Sequence, residues 1–124
     1  MISLNIMVVD DSAITIKKMT SILEKLGHNV ITTCATGQQA VDQYLELSPD
    51  VVTMDITMPD MDGITATTQI IEKHPEALII MVTSHGQEAM VLDAVKAGAK
   101  GYLLKPIKSD LLEETLNKII DKYV

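Results

Sequence analysis

Short apolar runs alternate along this chain with stretches in which apolar residues recur every three or four positions. The runs Leu4–Val9, Asn29–Thr33, Val51–Met54, Ala77–Val82 and Gly101–Leu104 predict five strands. The helical period predicts helices over Ala13–Leu26, from Thr36 to Ser48, from Gly63 to just before Pro75, over Gln87–Ala97 and over Ser109–Tyr123. Local punctuation agrees. Gly27 and Gly98 suit C-terminal caps, Ser48-Pro49 stops the second helix, and Thr36 with Gln39 has capping-box spacing. The first helix is expected to bury Ile16, Met19, Leu23 and Leu26, and the second Ala40, Val41, Tyr44 and Leu45. The last is expected to bury Leu111, Leu112, Leu116, Ile119 and Ile120. Ala77–Val82 is continuously apolar and should be buried on both faces, whereas Asn29–Thr33 reads as an edge.

Five strand–helix units in succession imply one α/β domain over residues 1–124, a doubly wound parallel sheet between two helical layers. No repeat, linker or second domain is expected.

Composition narrows the function. Aromatics make up 2% of the chain, so the core must be aliphatic, with eight Met to fill irregular gaps. A net charge of −7 and a pI near 4.7 argue against a nucleic-acid partner. No run approaches the ~18 apolar residues of a membrane span. The start of the chain lacks the basic region of a signal peptide. Cys34, the single cysteine, leaves no internal disulfide and fits a reducing cytoplasm. The charge is uneven: residues 1–62 hold nine acids against three Lys, and residues 63–124 eight acids against seven Lys.

That acidic excess falls where strands end. Asp10 and Asp11 close the first run, Asp55 the third, Thr83 the fourth and Lys105 the fifth. Ligands of open parallel sheets bind beyond the carboxyl ends of the strands, so these residues should meet in one crevice. Each has a plainer reading. Asp10-Asp11-Ser12 reads as a helix N-cap, Asp55 as a turn residue, and Thr83 as an ordinary strand end. One Asp suffices for a cap, however, and two carboxylates ~4 Å apart repel by a few kcal/mol at an effective dielectric of about 20. Mg²⁺ would relieve that repulsion, since it needs few protein carboxylates and keeps several waters. Pro59 and Gly63 make Asp55–Gly63 a stiff loop that presents a carboxylate able to attack phosphorus. A Lys at such a crevice is expected to be paired, and a cis Lys105–Pro106 bond is open.

Four segments together carry a resemblance: Val8-Val9-Asp10-Asp11-Ser12, Met54-Asp55-Ile56-Thr57-Met58-Pro59-Asp60-Met61-Asp62-Gly63, Val82-Thr83-Ser84, and Gly98-Ala99-Lys100-Gly101-Tyr102-Leu103-Leu104-Lys105-Pro106. In this order and spacing the chain resembles the receiver domains of two-component response regulators, and its length is similar to the stand-alone chemotaxis (CheY-like) type. The strand order 2-1-3-4-5 is what that resemblance implies, being a known order of this fold, and is not read from the spacing.

The resemblance implies a switch phosphorylated by a histidine kinase. Asp55 is the implied phosphoacceptor. Asp10, Asp11, Asp55 and the Thr57 backbone carbonyl are the implied Mg²⁺ ligands. Lys105 and Thr83 are the implied phosphoryl partners, with Thr83 and Tyr102 forming the switch. Turnover would be limited to the protein's own phosphorylation and dephosphorylation. The output surface would be the fourth helix, fifth strand and fifth helix, with Lys96, Lys100 and Lys108 facing an acidic peptide. Partners would be the kinase, a flagellar motor switch protein and a phosphatase, with the chain itself monomeric. Apolar Ala89-Met90-Val91-Leu92 suits that surface or, more plainly, a deeply buried helix. Ser84 and Ile107 stand where the family usually has Ala and Phe, and Thr57 and His85 hold positions that tune phosphoryl lifetime.

Other readings share parts of this pattern. A flavodoxin-like redox protein would need a phosphate-cradling first loop, where this chain puts two acids. An aspartate-nucleophile phosphatase would want an acid where Thr57 stands. A receiver within a transcription factor or methylesterase, and a phosphate sink without output, keep the same site.

Overall fold

The computed structural model describes residues 2–84 and 86–124. Five strands, β1 (Asn5–Val9), β2 (Asn29–Cys34), β3 (Val51–Met54), β4 (Ile79–Thr83) and β5 (Gly101–Leu104), form one parallel sheet in the order β2-β1-β3-β4-β5. Five helices connect and close it: α1 (Ala13–Lys25), α2 (Gly37–Leu47), α3 (Gly63–Lys73), α4 (Glu88–Ala97) and α5 (Ser109–Tyr123). The chain is thus the doubly wound α/β domain expected, with β2 at an edge and β4 buried throughout.

Strand alternation builds two cores. Ile6 and Val8 of β1 pack with Met19 and Leu23 of α1 and with Leu112 and Leu116 of α5. Met7 and Val9 face the other way, among Ala40 and Tyr44 of α2, Ala66 and Ile70 of α3, and Ala94 of α4. Met7, Met54 and Met81 are fully buried, the gap-filling role expected of a core with so few aromatics.

The helix ends are as patterned, with two refinements. Gly27 and Gly98 take positive φ past α1 and at the end of α4. Thr36 Oγ1 accepts from Gln39 N (3.1 Å), but Gln39 Oε1 reaches back to Ala35 N (2.8 Å), one residue beyond the reciprocal partner of a capping box. Ser12, with neither Asp10 nor Asp11, caps α1 by accepting from Thr15 N. The N-cap expected of Asp10-Asp11-Ser12 is thus supplied by Ser12, and neither acid serves as the cap.

Two expected core residues lie outside. Leu45 is 64% exposed and Leu111 47% exposed. At ~100° per residue, Leu45 sits roughly 120° from the centre of the face defined by Ala40 and Tyr44. Leu111 sits roughly 110° from the centre of the face of Leu112, Leu116 and Ile119. The deeply buried reading of α4 also fails: only Ala94 is fully buried there, and Leu92 and Val95 are exposed.

Candidate functional site

Backbone register assembles the crevice. Asp10 N donates to Cys34 O at the end of β2, and Asp55 N donates to Val9 O at the end of β1, both at 2.9 Å. The ends of β1 and β3 thereby set Asp10 and Asp55 side by side. Across the sheet, Lys105 N donates to Thr83 O at 2.8 Å, continuing the β4–β5 ladder by one residue. The Lys105–Pro106 peptide is cis. Asp10, Asp11 and Asp55 each bring a carboxylate oxygen within 4.8 Å of the others. Asp10 and Asp55 are buried and Asp11 is exposed at the mouth.

Among the described residues, one cation serves this cluster. Lys105 Nζ lies 2.8 Å from Asp10 Oδ2 and 3.4 Å from Asp55 Oδ1. Asp10 Oδ1 also accepts from Ser12 N at 2.8 Å, so both Asp10 oxygens are engaged. Burial would pull the Lys105 ammonium down, but the hydrogen bond to Asp10 and the charges of Asp55 and Asp10 hold it above its ordinary value. Asp55 is pushed up to about 6, chiefly by burial and then by the charge of Asp10, with Asp11 adding to the rise and Lys105 opposing it. Three carboxylates against one ammonium leave excess negative charge in a partly dry crevice. A hard divalent cation with oxygen preference fits that donor set.

The loop after β3 is pinned at both ends. Gly63 N donates to Ile56 O at 2.7 Å, and Asp62 caps α3 by accepting from Thr65 N at 2.8 Å. A Cβ at Gly63 would collide with Asp55 O, so only glycine allows the loop to close this tightly behind Asp55. Thr57 is exposed near the apex and Met58 is buried beneath it. Thr83 is fully buried, and Tyr102 is half-buried on β5 opposite Met81, its phenol pushed up by burial. Ser84 is exposed and Ile107 is buried in the α1–α5 core. His85 lies outside the described residues. Asp60 takes a place that no sequence pattern marks: its carboxylate accepts from Gly37 N and Gln38 N of α2, both at 3.0 Å. No local signal joins positions 23 apart in a loop and a helix start.

Comparisons with known proteins agree with this architecture. The family model for the response regulator receiver domain matches residues 6–117. The chemotaxis protein CheY of Bacillus subtilis is 47% identical, over 94% of this chain and 97% of that protein. CheY of Thermotoga maritima is 44% identical, over 92% and 95% respectively. Among solved structures, the CheX–CheY–BeF₃–Mg²⁺ complex of Borrelia burgdorferi contains a chain that superposes with a TM-score of 0.91 at 38% identity, covering 94% of this chain and 88% of that one. No helix among the described residues is long and apolar enough to cross a membrane.

Proposed function

Because the chain belongs to the response regulator receiver domain family, and within it to the CheY type, we propose that Asp55 accepts a phosphoryl group from a histidine kinase with the help of Mg²⁺. The observation that carries this reading is the convergence of Asp10, Asp11, Asp55 and Lys105 on one crevice. In the reaction, an Asp55 carboxylate oxygen attacks the phosphorus of a phosphohistidine. The P–N bond breaks, and the imidazole leaves with the electron pair and takes up a proton. Mg²⁺, when bound, neutralises charge on the transferred group. Asp11, Asp55 and the Thr57 carbonyl would hold it, with Asp10 completing the acidic wall while engaged by Ser12 and Lys105.

The chain's own residues do the rest. Burial and the neighbouring acids raise the free energy of the Asp55 anion, so a cation and a phosphoryl group both relieve a real cost. Lys105 can follow the new charge, because it already touches Asp10 and Asp55. Phosphorylation adds up to about two negative charges and strong acceptor oxygens, which would draw in the Thr83 hydroxyl. Tyr102 would then respond, biasing a two-state surface of α4, β5 and α5. Exposed Leu92, Val95 and Leu104, with Lys96, Lys100 and Lys108 also exposed, suit an acidic amphipathic peptide there. The identity to chemotaxis regulators supports a flagellar motor switch protein as its source. The presence of BeF₃ and Mg²⁺ with the Borrelia relative supports the cation.

The test is transfer from an autophosphorylated chemotaxis histidine kinase, followed by capture on an immobilised flagellar switch protein. Label should move to the wild type and not to Asp55→Asn, and only labelled protein should be retained. Transfer without retention would keep the receiver and replace the motor output with a phosphate sink. The absence of transfer would remove the proposal.

A further inference from the structure

The carboxylate of Asp60 reaches out of the β3–α3 loop and straddles the N-terminus of α2, accepting from Gly37 N and Gln38 N at 3.0 Å each. The helix does not need this acid for a cap, since Thr36 already accepts from Gln39 N. The contact is close on both sides. A Cβ on Gly37 would lie 2.9 Å from Met61 O, 3.0 Å from Met61 Cβ and 3.1 Å from Met61 Cγ. Helix and loop therefore meet backbone to backbone at a position only glycine permits. Asp60 stays charged in this setting: the N–H of Gln38 first, joined by those of Gly37, Met61 and Asp60 itself, holds its carboxyl below the usual range against the opposing effect of burial.

The loop that makes this contact carries the site. Its start is tied by Asp55 N to Val9 O and its end by Gly63 N to Ile56 O. Thr57 to Pro59 span the stretch between those ties and Asp60, and Thr57 and Pro59 are exposed. We propose that Asp60 is a positioning residue for the cation: by clamping the far side of the loop onto α2, it holds the Thr57 carbonyl toward the carboxylates of Asp10, Asp11 and Asp55. This rests on the receiver reading above. The clamp costs the crevice nothing in charge balance, because the helix N-terminus compensates the Asp60 anion outside it.

Mg²⁺ affinity, followed by NMR titration and paired with urea unfolding of each variant, separates this role from plain helix capping. Asp60→Ala should weaken Mg²⁺ binding about tenfold, the size of effect seen when an outer support of a metal ligand is lost. Asp60→Asn, which keeps acceptor oxygen but not charge, should lose less. Gly37→Ala favours the helix yet collides with Met61, so it should also weaken Mg²⁺ binding. Thr36→Ala removes the helix's own cap and should leave Mg²⁺ affinity unchanged. If Asp60→Ala and Gly37→Ala bind as tightly as wild type, or Thr36→Ala binds as poorly as Asp60→Ala, the clamp is a helix cap and the proposal fails. A wild type that binds no Mg²⁺ would instead overturn the receiver reading, and the clamp with it.

Discussion

The Lys105 ammonium lies closer to Asp10 than to Asp55, 2.8 Å against 3.4 Å, and makes its tighter bond to the residue already held by Ser12 N. Asp55 is thus less well compensated by Lys105 than Asp10 is, and burial first, then the charge of Asp10, pushes it up to about 6.

The first prediction follows from this imbalance. Asp55 titrates near 6 in the folded chain and near 3.8 in the unfolded one. Between those values the folded state holds a proton that the unfolded state has released, so stability falls as pH rises through the window. Above it the burden is full, on the order of 3 kcal/mol at about 1.4 kcal/mol per unit. Asp55→Asn should therefore be more stable than wild type at pH 7 by about 2–3 kcal/mol, with the gain gone near pH 4. Urea unfolding at both values checks this, and a gain that persists at pH 4 would point to packing instead.

Lys105→Met removes an ammonium that touches two buried carboxylates. It should cost about 2 kcal/mol at pH 7, somewhat below the usual cost of breaking a buried pair because the Lys105 side chain is 20% exposed. The loss should shrink at pH 5, where Asp55 becomes protonated. Equal losses at both pH values would mean that the aliphatic stem of Lys105 matters more than its charge.

Gly63→Ala should move Asp55 itself. The added carbon would meet the Asp55 carbonyl, and backbone must shift to make room. A loss of about 2–3 kcal/mol is expected, together with slower phosphorylation by acetyl phosphate than an equally destabilised core variant such as Leu23→Ala shows. Equal rates in the two would separate the loop from the chemistry.

Thr53 carries a buried hydroxyl without a hydrogen-bond partner, at 1% exposure in the middle of β3. Thr53→Val keeps the shape and removes the orphan group. It should stabilise the fold by about 1 kcal/mol, readable as a raised urea midpoint with unchanged slope. A lowered midpoint would mean the hydroxyl has a partner in solution.

The crevice was legible because its residues sit at the ends of apolar runs. Asp10, Asp55, Thr83 and Lys105 follow strands whose limits hydrophobicity marks to within a residue or two, and a parallel sheet gathers those ends by geometry alone. Register hidden in the backbone was less legible. Thr83 proved to be the last residue of β4, paired with Leu104. Helical faces were overdrawn where an extra apolar residue adjoined the stripe, as at Leu45 and Leu111, because hydrophobicity does not report angle. Ser12 took the cap that the adjacent acids also suited. Asp60 was silent, since its partners are backbone N–H groups of a distant helix and no side-chain pattern marks them.

The most direct measurement is intact mass after incubation with acetyl phosphate, with Mg²⁺ or with EDTA, on wild type and Asp55→Asn. One added phosphoryl group is expected in wild type with Mg²⁺, and none with EDTA or in Asp55→Asn. An adduct that survives Asp55→Asn, or no adduct in wild type while Mg²⁺ is bound, would contradict that expectation.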